Sequence, residues 1–225
     1  MKIYTQAEFD ALPVVGGYRQ CPIGDYTQIK RVDERCSFGE RCIFGDDCIF
    51  GVWCIFGVWC IFGEGCTFGE GCRFGDDCRF GGDCRFGMWC RFGNGSDFGV
   101  WCTFGNGSDF GMWCSFGDDC RFGMWCSFGD DCSFGEGCSF EGGHKAKSGY
   151  PLLSIAVAGS WYRTTYFFNT EDGIIVRSWC FKGTLSDFRT KVRQDCPLGT
   201  EVKAMQYLGF DNIVAATWSP EEIEK

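Results

Sequence analysis

The chain has a single histidine, five prolines and no apolar run approaching the eighteen or so residues of a membrane-spanning helix. One histidine, His144, leaves little scope for a Ser/His/Asp set, a Cys/His pair or a Cys/His metal cluster. No CxxC pair, phosphate-cradling P-loop or Rossmann glycine fingerprint is present. Met1–Gly17 lacks the basic-then-apolar order of a secretion signal, so the expectation is a cytoplasmic protein with no membrane partner. Positive charge is also short: 21 basic against 30 acidic residues give a formal charge of −9, which argues against general binding to a nucleic-acid backbone.

What the chain has instead is a six-residue phrase. From Cys36-Ser37-Phe38-Gly39-Glu40-Arg41 to Cys138-Ser139-Phe140-Glu141-Gly142-Gly143 it recurs without a frame slip. Six is a multiple of the strand period of two and not of the helical 3.6, so residues 36–143 are expected to be short strands. Cys and Phe, two apart, share the inner face; the residue between them points out, and Gly with two variable residues turns the corner. Such a unit buries its apolar face only by stacking, three to a coil, which gives about six coils.

The phrase Phe-Gly-x-x-Cys-x resembles the hexapeptide signature of left-handed parallel β-helices, with Phe in place of the usual aliphatic and Cys as the small residue. The left hand is what that resemblance implies, since parallel crossovers otherwise favour the right. The fold expected is mainly β: a left-handed parallel β-helix followed by a small α+β domain. Residues 1–35 are expected to form an N-terminal cap and an irregular first coil, with Thr5 and Glu8 as a capping box for a helix over Ala7–Leu12. Residues 144–149 read as a polar hinge. In residues 150–225, strands are expected over Ser154–Ser160, Tyr162–Asn169 and Ile174–Phe181. A helix from Thr184 to Asp195 and a further one near Glu201–Leu208 complete this domain, a candidate for oligomerisation or partner binding.

Stacking at eighteen residues sorts the repeat cysteines into three in-register columns. Parallel Cβ vectors suit a disulfide torsion poorly. The expectation is buried free thiols acting as small hydrophobes, with no metal and no cofactor.

The outward residues carry the functional candidates. Ile43, Ile49, Ile55 and Ile61 form an apolar belt that a terminus or a second subunit would cover. Arg73, Arg79, Arg85 and Arg91 form a cationic ring on an acidic protein. Asp97 and Asp109 stand one coil beyond Arg79 and Arg91, which leaves Arg73 and Arg85 as candidate anion contacts. Trp53, Trp89 and Trp125 share one corner edge in alternate coils, either as contacts for a partner or laid over the glycines of the next coil. The acidic corners, Asp46-Asp47, Asp76-Asp77, Asp118-Asp119 and Asp130-Asp131, read as solvated turns.

The Cys-x-Phe-Gly-x-x repeats, the closing Ser139-Phe140-Glu141-Gly142-Gly143, and the stretches Phe168–Ile174 and Cys180–Leu185 together resemble a family of proteins encoded by tailed phages and prophages. That resemblance covers nearly the whole chain and implies a viral origin and a host-cell cytoplasm. The functional expectation is a non-enzymatic, oligomeric accessory protein that sequesters a host component. One version holds a small anion, such as a defence-signalling nucleotide, between subunits with Arg on phosphate. A second is an acidic decoy or scaffold for a basic host protein. The enzyme alternative is a hexapeptide-repeat acyltransferase, for which His144 would be the only histidine base.

Overall fold

The structure, a computed structural model, describes residues 1–129, 131–140, 144–145, 152–158, 163–178, 181–195 and 214. Each phrase forms a short strand, three residues in Cys36–Phe38 and two in the others, such as Ile43–Phe44 or Arg73–Phe74, and a turn. Away from the ends of the stack, each strand pairs in parallel with those eighteen residues before and after it: Arg73 lies opposite Ile55 on one side and Arg91 on the other. The result is a β-solenoid of about seven turns with three sheets. Face one runs from Tyr18–Cys21 to Ser127–Phe128, face two from Ile43–Phe44 to Ser133–Phe134, and face three from Arg31–Val32 to Ser139–Phe140. The turn beyond the six counted from the phrases is the irregular one, where Arg19 pairs with Cys36 and Val32 with Phe50.

Phenylalanine builds the interior in two geometries. Within a face the rings stack: Phe74 lies 4.9 Å from both Phe56 and Phe92, within 4° of parallel. Between faces they meet edge-on, Phe74 to Phe80 at 5.0 Å and 86°. Both arrangements suit the aromatic quadrupole. The small partner, cysteine, lets three large rings meet at the axis, and its thiol points toward the corner of the previous coil. The phrase glycine is required there by crowding: a Cβ on Gly99 would come within 2.5 Å of the Gly82 nitrogen.

Both ends of the core are covered. Thr5 and Glu8 form the expected capping box, on a helix that spans Gln6–Asp10. The next segment is a hairpin that the sequence reading did not foresee: Val14–Val15 pairs with Tyr18–Cys21 across Gly16 and Gly17, both at positive φ. Two such glycines suit a hairpin turn that follows strand twist. Phe9 stacks over Phe38 at 6.2 Å and Tyr26 over Phe44 at 5.5 Å.

At the other end, Leu152–Ala158, Arg163–Thr170, Gly173–Ser178 and Phe181–Thr184 form an antiparallel sheet. Its Phe168 packs 4.5 Å from Phe140, and Ile175 joins the same apolar cluster. The sheet therefore closes the solenoid. The strand expected over Ile174–Phe181 is two strands, and helix Leu185–Asp195 follows with Thr184 and Asp187 bonded reciprocally at its start. Of the expected hinge, His144–Lys145 pairs antiparallel with Ser139–Phe140; residues 146–149 and the helix expected near 201–208 lie outside the described residues.

Candidate ligand-binding edge

The second residue of each corner sits in the left-handed region, where glycine is at ease and most side chains are strained. Six tryptophans occupy it, Trp53, Trp59, Trp89, Trp101, Trp113 and Trp125, at φ of 57–61°. For five of them the contact on the following coil is described. The rings of Trp53 and Trp89 lie against Gly71 and Gly107, close enough that a Cβ there would fall 2.5 Å from the indole. The indoles of Trp59, Trp101 and Trp113 each donate from Nε1 to Oδ2 of Asp77, Asp119 and Asp131 at 3.2 Å. The expectation of tryptophans laid over glycines holds for Trp53 and Trp89, while those three use a carboxylate instead.

The acidic corners are structural ties. Asp46, Asp76 and Asp118 each accept, through Oδ1, the backbone N–H one coil on, at 2.8–2.9 Å. Asp130 lies outside the described residues.

Six residues to a side and three sides to a coil scatter the isoleucine and arginine candidates. Ile43 and Ile61 are neighbours on face two, Ile49 is on face three and Ile55 on face one. The isoleucines therefore encircle the shaft without forming one patch. Arg79, on face two, is paired with Asp97 at 3.8 Å; Arg91, on face one, with Asp109 at 3.6 Å. Such exposed pairs are worth about 0–1 kcal/mol. Arg73, next to Arg91 on face one, and Arg85, on face three, make no ion pair among the described residues.

One edge, where face three turns into face one, does collect candidates. It carries Trp53, Trp89 and Trp125, exposed by 40%, 54% and 65%. Ile49 and Ile55 flank Trp53; Arg85 and Arg91 flank Trp89. Arg121, which the sequence reading did not count as a site residue, stands before Trp125 as Arg85 stands before Trp89. The signal was present in the sequence: Cys84-Arg85-Phe86-Gly87-Met88-Trp89-Cys90 recurs unchanged as residues 120–126.

The cysteines are committed to the core. All described ones are free. Their thiols reach back across the coil to glycine carbonyls, Cys60 to Gly39 at 3.5 Å and Cys138 to Gly117 at 3.2 Å. Burial pushes the Cys126 thiol up to about 11. Among the described residues no three His, Cys, Asp or Glu side chains are placed to hold a metal ion.

These features define a phenylalanine-cored β-solenoid with an exposed aromatic edge. A family model described as RNA-binding, Nab2-type zinc finger matches residues 47–63, 54–75, 77–93, 108–123 and 125–140, less than half of the chain. What those segments share is cysteine at six-residue spacing, and none includes His144. The geometry does not fit a three-cysteine, one-histidine zinc site. Successive cysteines lie on three different faces, with phenylalanine rings between them and their thiols turned to backbone carbonyls. No curated protein and no solved structure matches the chain.

Proposed function

We propose that the protein is a rigid binding scaffold rather than an enzyme, and that its ligand carries a flat ring and a negative charge. The observation behind this reading is the edge where Trp89 stands between Arg85 and Arg91 and Trp125 beside Arg121. A flat indole contributes stacking area, a guanidinium contributes bidentate donors to carboxylate or phosphate, and a stiff shaft holds both at fixed spacing without an ordering cost. In this proposal the chain is a phage-encoded accessory protein acting in the host cytoplasm, where it captures a small anion such as a signalling nucleotide, as an oligomer that shields the ligand. The acidic decoy is disfavoured at this edge because its local charge is positive. The acyltransferase is disfavoured because the chain's one histidine follows the last repeat.

Native mass spectrometry of gently purified protein tests the reading. An added mass of a few hundred daltons per assembly, lost in an Arg85→Thr, Arg121→Thr variant, supports capture. Bare protein that also ignores added mono- and dinucleotides in calorimetry removes the nucleotide version.

A further inference from the structure

We infer that the ligand of this edge is a polymer laid along the solenoid axis, namely a β-linked acidic glycan with one carboxylate per two sugars. This rests on the binding-scaffold reading and keeps its edge, its flat ring and its negative charge, but replaces the small anion with a polymer.

The argument is periodicity. Residues 84–90 and 120–126 are the same heptapeptide, two coils apart, so the edge presents one arginine, one methionine and one tryptophan in each repeat. Phe86 to Phe104 is 4.9 Å and Phe104 to Phe122 is 5.0 Å, so the repeat rises roughly 10 Å along the shaft. The coil between them carries Asn106 and Gly107. Gly107 keeps the edge low beneath Trp89, and the Asn106 Oδ1 accepts from the Met124 N–H at 2.8 Å. The track is thus a flat ring and a cation, a low polar step, then a flat ring and a cation again.

A matching polymer must offer one apolar ring face and one anion about every two coils. Successive sugars of an extended β-linked chain face opposite ways, so alternate sugars present the same apolar C–H face to an indole. When uronate alternates with a neutral sugar, the carboxylates recur at that same interval, opposite Arg85 and Arg121. Single-stranded nucleic acid fits less well. It carries a phosphate about every 3.4 Å along a stacked strand, about three for each arginine of the track, which leaves most of them unpaired beside a chain of formal charge −9. Its bases also stack far closer together than the tryptophans stand.

The variants can be chosen from residues that the fold already accepts. Glycine occupies the same corner column at Gly71 and Gly107, so Trp89→Gly and Trp125→Gly suit the left-handed backbone. Threonine occupies the same face-three column at Thr67 and Thr103, so Arg85→Thr and Arg121→Thr suit the strand. The experiment titrates the full chain with hyaluronan oligosaccharides of two, four, six and eight sugars, following tryptophan fluorescence and heat. Poly-dT, neutral cello-oligosaccharides and dinucleotides serve as comparators. The expected result is affinity that rises by roughly tenfold or more once the oligosaccharide spans both tryptophans. Affinity falls by a similar factor in either double variant, is unchanged in Arg79→Ser on face two, and weakens with salt. Binding of dinucleotide but of no oligosaccharide would overturn the glycan and leave the scaffold reading standing. Binding of poly-dT alone would replace the glycan with nucleic acid. No binding of any probe, or glycan binding indifferent to both double variants, would overturn the inference together with the assignment of this edge.

Discussion

Trp101 donates its indole N–H to Oδ2 of Asp119 at 3.2 Å, and the two residues hold nearly the same left-handed backbone, φ 59° and 56°, one coil apart. The bond offsets part of the strain of a bulky side chain at a corner that suits glycine. Asp119→Ala removes the acceptor and leaves a Cβ at positive φ, for an expected loss of about 1 kcal/mol. Asp119→Gly removes the same acceptor but relaxes the backbone, so its loss should be smaller. Urea unfolding of both variants checks the order. A glycine variant weaker than the alanine variant would show that strain at this corner contributes nothing.

Phe92 stacks on Phe74 and Phe110, each at 4.9 Å, and meets Phe86 and Phe98 edge-on, each at 5.0 Å. Its neighbours are held by hydrogen-bonded coils above and below and cannot collapse into the space. Phe92→Ala should cost about 3–5 kcal/mol, with Phe92→Leu well below that. The shift in denaturation midpoint at constant slope measures it.

Burial lifts the Cys126 thiol from its ordinary 9.0 to about 11. The native state therefore holds that proton more tightly than the unfolded chain. The stability it contributes is complete below about pH 8.5 and is lost as pH rises through 9 toward 11. A thermal melting series from pH 7.5 to 10.5 should fall over that window in the wild type and less in Cys126→Ala. The same burial predicts that iodoacetamide at pH 8 labels Cys126 only after unfolding, which peptide mapping detects.

Ser96 and Ser108 stand in cysteine columns and are fully buried. Unlike most of the cysteines, which bond across the coil, they donate to the carbonyl three residues back, Gly93 at 3.1 Å and Gly105 at 2.9 Å. Ser96→Cys exchanges a hydroxyl for a larger, less polar thiol in a core built for it. It should raise stability by up to about 1 kcal/mol. A fall in melting temperature would mean that the hydroxyl's bond to Gly93 outweighs the packing.

Much of the solenoid was legible residue by residue. Phe and Cys two apart named the inner face, the even period named strands, and eighteen residues named the register that pairs Arg79 with Asp97 and Arg91 with Asp109. The capping residues Thr5 and Thr184 announced their helices. The hairpin across Gly16-Gly17 was missed because its strands are too short to show alternation, and the division at Phe181 because residues on both sides of it are compatible with one strand. Arg121 was missed because its importance comes from Trp125 beside it.

Local chemistry thus determined what each residue of the phrase does: strand or corner, inside or outside, small or large. That followed from the period and from side-chain volume, which the chain carries in its order. Which outward residues share an edge was decided only by closure. Three phrases per turn send Ile43, Ile49 and Ile55 to three different faces, yet bring residues 84–90 and 120–126, thirty-six positions apart, to within roughly 10 Å along one edge. The sheet that closes the open end was likewise a tertiary outcome. Among the described residues no further coil stacks on Phe140, and Phe168 supplies the covering surface.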